Sequence, residues 1–309
     1  MGITHLDEAP VVERGGGHLK ASWTLLGEGA GSVTVGVRRI QVADGFWSTP
    51  VHDHGGAEEI FYVLGGRGVL LHGGAAAEVG EGDCFVCLAG AGAHSLHGTE
   101  ALDVLAFGPR AGDPSTRLPR LGLSLIGARF VESVAPEPGT LLQYEREIAL
   151  GPPELPAPGP RPATLVNLAD VEPVAVERPV VARVRRNLGA AIGSVATGLQ
   201  HVTVVPGRFA TPAHCHSLEE ELFVVLDGEG TLHLGDERMP VRAGHVIARP
   251  AGTAVAHRFE AAERGLTFLA YGTRERNDIC AYPRSGKVLL RGVGVWLRTE
   301  RLDYWDGED

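Results

Sequence analysis

An all-β chain of two tandem antiparallel barrels with few short helices is predicted by three observations. The apolar segments are short and alternate with polar residues, glycine and proline occur throughout, and the sequence repeats itself once. The 309 residues include 43 Gly and 20 Pro, which punctuate the chain into short elements joined by turns. Stretches 32–42 (SVTVGVRRIQV), 59–66 (EIFYVLGG), 68–74 (GVLLHGG), 201–205 (HVTVV), 221–228 (ELFVVLDG) and 230–236 (GTLHLGD) have the period of two that gives a strand one buried face. The best helical candidate is 123–133 (LSLIGARFVES).

The repeat organises the rest. A shift of 162 positions lays residues 45–74 on 207–236. Thr49 and Pro50 then meet Thr211 and Pro212, His52 and His54 meet His214 and His216, Glu58 and Glu59 meet Glu220 and Glu221, and Gly66 and Gly68 meet Gly228 and Gly230. The expected domains are therefore 1–150 and 164–309, joined by a Pro-rich linker at 151–163. The wider stretch 136–162 is read as extended chain because of its prolines and glycines.

Composition narrows the function classes. Lys and Arg total 28 against 38 Asp and Glu, a net charge of -10 that repels phosphate backbones; the densest basic cluster, 183–186 (RVRR), is short, so nucleic acid is not an expected partner. No apolar run is long enough for a membrane helix, and the first residues carry Asp7 and Glu8 where an export signal would be basic, so a cytoplasmic protein is expected. The four cysteines (Cys84, Cys87, Cys215 and Cys280) make no paired metal knuckle. Cys84 and Cys87 form a CxxC inside a strand-like run, where they point to opposite faces, and are read as inert thiols.

The chemistry sits in the repeated His-x-His. Two residues apart on a strand, both imidazoles leave one face about 6.6 Å apart along the chain and can converge on one ion. A carboxylate at the start of the next strand can close over them. Glu59 and Glu221 begin the alternating sets Glu59, Phe61, Val63 and Glu221, Phe223, Val225, whereas Glu58 and Glu220 fall on the opposite face. His94 and His257, at corresponding ends of the repeats, complete two candidate quartets: His52, His54, Glu59, His94 and His214, His216, Glu221, His257. The other reading is that these are satisfied core histidines on a barrel strand. His72, His97, His233 and His245 are read as surface or core residues, or as partners orienting a ligand. Cys215, between two inward histidines, is expected to face away.

Residues 45–66 and 206–228 resemble the first motif of the cupin superfamily, Gly-x5-His-x-His-x4-Glu-x6-Gly, and 82–94 and 243–257 resemble its second, Gly-x5-Pro-x-Gly-x2-His. The resemblance covers both halves. It implies a bicupin of two double-stranded β-helix (jelly-roll) barrels, akin to oxalate decarboxylases, quercetin and gentisate dioxygenases and seed storage globulins. The tail, 271–287 with 301–308, is similar to a group of bacterial bicupins. Each barrel would hold at most one divalent transition metal (Fe, Mn, Ni, Cu or Zn) through the quartet.

The second motif departs from the pattern. Leu88 takes the proline place in the first copy, and three and four residues rather than two precede His94 and His257. One inserted residue reverses a strand's facing and two restore it, which makes His257 the safer ligand and the C-terminal site, with Pro250, the favoured metal centre if only one is occupied. Arg249, where the other repeat has Cys87, is a candidate anchor for a substrate carboxylate or else an outward salt bridge; Phe61 and Phe223 are expected to wall the sites.

Three functions stay open. The chain is an Fe(II) or Mn(II) oxygenase or oxidative decarboxylase of a small carboxylate, phenol or enol; a redox-neutral metal-dependent isomerase, lyase or hydrolase; or a binding module without turnover. A small-molecule substrate and a homodimer are the expected partners.

Overall fold

The computed structural model describes residues 2–110, 115–126, 129–131 and 142–308. Its frame is a pair of eight-stranded antiparallel sheets, one in each half, each accompanied by a four-stranded sheet. The long strand Glu59–His72 pairs with His94–Pro109 and with Asp83–Cys87; in the second half Glu221–Leu234 pairs with His257–Thr273 and with His245–Arg249. Shifted by 162 residues, the pairing Glu59–Cys87 falls on Glu221–Arg249, whereas the pairing with the following long strand is displaced by one to two further residues, His94 answering to His257 and Phe107 to Tyr271.

Alternation along these strands builds two kinds of core. Phe61, Val63 and Phe85 face the interior of the first barrel, and Phe223, Val225 and Phe259 that of the second. The intervening residues Ile60, Tyr62, Leu222 and Val224 form with Leu26, Leu188, Phe107 and Tyr271 one cluster that spans both halves. Cys84 lies in this shared cluster and Cys87 in the first barrel's interior, so the CxxC does point to opposite faces; burial pushes both thiols upward, away from thiolate chemistry. Gly66 and Gly228 show why the motif ends in glycine: each has a positive φ, 74° and 78°, and a β-carbon there would stand 2.2 Å from a neighbouring carbonyl oxygen.

The halves also exchange strands. Ile3–His5 adds to the second half's sheet beside His245–Arg249, and Leu165–Asn167 adds to the first half's sheet beside Asp83–Cys87. A reciprocal polar clamp reinforces the exchange. The buried Glu58 carboxylate accepts from the backbone of Val195, Ala196 and Thr197 and from the Ser194 and Thr197 hydroxyls. Glu220, likewise buried, accepts from the backbone of Val33, Thr34 and Val35 and from the Thr34 hydroxyl. A buried carboxylate is tolerable when its lone pairs are filled in this way.

Two local expectations are corrected. Residues 123–133 are not helical where they are described: Leu123–Ile126 and Arg129–Val131 are paired strands continuing from Thr116–Leu118. A helix this short nucleates poorly, whereas the neighbouring strand offers ready backbone partners. Within 136–162, Leu142–Leu150 is a helix rather than extended chain; prolines and glycines flank it, and none falls inside. It is held by Tyr144 against Trp47, Val51 and Leu71, and by the Arg120–Glu147 ion pair.

Candidate metal centres

In each half the His-x-His segment crosses the mouth of the barrel and meets the first residue of a long strand. His52 and His94 bond backbone to backbone, as do His214 and His257. The extra residues of the second motif are taken up before those strands, where Gly90, Gly92, Gly252 and Ala254 adopt positive φ. His94 and His257 consequently face inward alike: their Nε2 atoms lie 3.2 Å from Glu59 Oε2 and 3.2 Å from Glu221 Oε2 respectively. The distinction drawn from counting inserted residues does not hold, because the loop absorbs the insertion before the strand register begins.

In the first half, ligand-capable atoms of His52, His54, Glu59 and His94 all lie within 4.8 Å of one another. In the second, Glu221 Oε2 is ringed by three Nε2 atoms, of His257 at 3.2 Å, His216 at 3.5 Å and His214 at 3.9 Å. His214, Glu221 and His257 form one tight group, and His214 and His216 form another with Cys280.

Protonation suits a cation. Nδ1 of His52 lies 2.9 Å from Pro50 O and Nδ1 of His214 lies 2.9 Å from Pro212 O; a carbonyl only accepts, so each Nδ1 carries the proton and each Nε2 turns a lone pair inward. Burial, with the neighbouring histidines, pushes His52 down to about 3. Burial likewise brings His214 down to about 4, against the pull of Glu221. Both imidazoles are therefore neutral at pH 7. Burial alone would raise the two glutamates, but the surrounding imidazoles hold Glu59 and Glu221 well below the usual carboxylate range. Glu221 Oε2 is buried without a hydrogen-bond partner, and the His214 lone pair is aimed at this anionic oxygen. Such convergence of electron-rich atoms is stable only around a positive charge, and neutral imidazoles with one carboxylate are a donor set for a divalent transition ion.

The surroundings of the two centres differ. His216 Nδ1 lies 2.7 Å from Oδ2 of Asp278, a fully buried carboxylate whose Oδ1 accepts from Leu218 N at 2.9 Å. Among the described residues His54 Nδ1 has only the Thr116 hydroxyl, at 3.4 Å. The second centre opens on a cavity of about 570 Å³ lined by all four of His214, His216, Glu221 and His257. The first adjoins about 370 Å³, and of its quartet only His54 and Glu59 line that space.

Phe223 lines the larger cavity, 5.5 Å from the His257 ring, while Phe61 stacks on Phe85 at 4.8 Å and is not among the residues lining the smaller one. Arg249 neither lines the cavity nor points outward. It is buried, with Nη2 donating to Val255 O at 2.7 Å. Cys280 rather than Cys215 is the thiol beside the imidazoles. Asp278, Cys280 and Tyr282, whose ring stacks on His214 at 5.8 Å, were not singled out by sequence reasoning. They lie some 60 residues beyond the motif and are brought in by the pairing of Cys215–His216 with Ile279–Tyr282, a contact that no spacing announces.

The cupin domain family matches the chain twice, at residues 38–107 and 200–269. Among solved structures, the chain is similar to an oxalate decarboxylase from Bacillus subtilis studied for its Mn(II) centres, at 18% identity with a TM-score of 0.58, over 90% of this chain and 78% of that one. It is also similar to an oxalate decarboxylase from Lactobacillus farciminis in a formate complex, at 15% identity with a TM-score of 0.58, over 89% of this chain and 86% of that one. No curated protein matches the sequence.

Proposed function

Since the chain belongs to the cupin superfamily, as a bicupin with one cupin domain in each half, we propose that it is a metal-dependent enzyme working in its C-terminal barrel. The reaction is the oxygen-dependent oxidation or oxidative decarboxylation of a small anionic substrate. One observation carries this reading: the complete His214, His216, Glu221, His257 quartet lines a cavity whose wall also bears arginines and phenylalanines.

Those four residues would hold the ion. When bound, an Fe(II) or Mn(II) ion supplies Lewis acidity, a residual positive charge and open positions for an anionic substrate and a second small ligand. The chain's own groups set the rest. Phe223, Phe259 and Phe268 make a dry wall beside the quartet, which strengthens electrostatic attraction to a bound anion. Asp278 fixes the His216 ring with its Nε2 toward Glu221. The volume, about 570 Å³, is that of a small-molecule site.

A redox-neutral lyase or isomerase is the second reading. Glu219 lines the same cavity, and burial pushes its carboxyl up to about 7 against the pull of Arg291, the range in which a group can exchange a proton at neutral pH.

Elemental analysis of protein purified without chelator, followed by oxygen uptake with Fe(II)- or Mn(II)-loaded enzyme across carboxylates and phenols, separates the two. Bound zinc with no oxygen consumption selects the redox-neutral reading. Absence of stoichiometric metal overturns both.

A further inference from the structure

The basic run at 183–186 supplies two of the arginines on the cavity wall. It lies on the strand Ala182–Arg186, where alternation sends Arg183 and Arg185 into the cavity of the second barrel, while Arg186 donates to Val171 O. The first barrel lacks the pair. Arg183 is paired with Val204 and Arg185 with Val202; at the equivalent places Ala21 is paired with Val42 and Trp23 with Ile40. Ala21 is buried in that barrel's core and Trp23 packs against it. At these two places, therefore, one barrel carries apolar groups and the other two cations.

These half-buried cations have no ion-pair partner among the described residues. Of the cavity's other arginines, Arg291 is bonded to Glu219 at 2.5 Å and Arg274 to Ser194 O at 2.7 Å. Arg183 gives Nη1 to Ala210 O, but its Nε is buried with no hydrogen-bond partner. Arg185 has no hydrogen bond or ion pair among the described residues. Burial and the nearby Arg185 charge both lower the pKa of Arg183, the mark of a cation held against its preference. The pair is also close to the metal quartet: the Tyr282 phenol that acts electrostatically on Arg183 stacks on His214. Two like charges stand two residues apart on one strand, about 6.6 Å along it, and their cross-strand partners are all valines: Val176 and Val204 for Arg183, Val174 and Val202 for Arg185. That arrangement suits an anionic ligand.

We propose that Arg183 and Arg185 form a second anion subsite in the C-terminal cavity, so that the enzyme selects substrates with two anionic groups, one directed to the His/Glu quartet and a distal carboxylate or phosphate gripped by the arginine pair. The proposal deepens the functional reading above and rests on it for the proximal group alone. Planar guanidinium forks match both distal chemistries.

The test measures binding to the full chain, Mn(II)-loaded and metal-free, of succinate, 3-phosphonopropionate and monomethyl succinate, the last of similar length but with one charge. The dianions are expected to bind at least about tenfold more tightly than the monoester. In R183A/R185W, which installs the first barrel's residues, that preference falls to less than about twofold, while the affinity for the monoester and the metal content are unchanged. If that variant does not fold, R185Q serves in its place, and a preference reduced at least about threefold is expected. A preference for succinate or for the phosphonate identifies the distal group. Equal binding of dianions and monoester by the wild-type chain, or a preference that survives the variants, overturns the subsite. Loss of metal stoichiometry together with an intact dianion preference in the metal-free chain would sink the metal-enzyme reading and leave the subsite standing.

Discussion

The two barrels place the same four residue types at the same positions in space and surround them differently. Around His52, His54, Glu59 and His94 the barrel is packed with Ala21, Phe61 and Phe85, and the flanking hydrogen-bond partner is the Thr116 hydroxyl. Around His214, His216, Glu221 and His257 there is an open cavity, a buried carboxylate behind one ligand, and arginines on the wall. A ligand set alone thus does not make a substrate site. Space and unbalanced charge next to it do, and these come from residues outside the motif.

The comparison breaks most readily at the ligands. His257→Ala should lower turnover by at least about a hundredfold and remove the metal of the second barrel, while His94→Ala, equivalent by register, should change turnover less than about threefold. Steady-state kinetics with elemental analysis decides it, and equal losses would put catalysis in both barrels.

The shared core should show no such asymmetry. Ile60 and Leu222 occupy equivalent, fully buried places in the cluster between the halves. Either residue changed to alanine should cost about 2–5 kcal/mol, read by chemical denaturation of the metal-free chain. Similar values would show that the halves are stabilised as one unit, as their exchanged strands and reciprocal glutamate clamps require.

A sharper probe is the residue behind the ligand. Asp278→Asn removes the charge that orients His216 and should weaken metal binding in the second barrel about 10–100-fold; Thr116→Val, behind His54, should change the first barrel's affinity less than about threefold. Competition with a chromophoric chelator reads both.

The smallest effect is on acid stability. Burial, with Arg186 nearby, lowers His201 to about 4 from the ordinary histidine value of about 6.5. Between these values the unfolded chain binds a proton that the folded chain refuses, so stability falls as pH drops from about 6.5 toward 4. The first barrel has Arg39 at the equivalent position. In the metal-free chain, His201→Gln should therefore flatten the decline of Tm between pH 7 and pH 5 by a few degrees. An unchanged slope would mean that His201 protonates without unfolding.

Much of the fold was legible in the order of residues. The period of two placed Phe61 and Phe223 inside their barrels and turned Glu58 and Glu220 away from the quartets. Near neighbours along a strand have their relative facing dictated by backbone geometry, so a pattern five residues long survives into space. The helix at Leu142–Leu150 is hidden in the sequence because the prolines and glycines of 136–162 lie on either side of it and mask a nine-residue run that contains none.

What composition, periodicity and repetition settled about this chain is its duplicated β architecture and the residue types gathered at the head of each barrel, because both arise from local stereochemistry acting twice. Which centre opens on the larger cavity, where Asp278 and Cys280 stand, what Glu58 and Glu220 hold, and which arginines meet the cavity were settled by packing. Those relations join residues tens to more than a hundred positions apart. Their energies come from burial and charge pairing that exist only once distant strands have met.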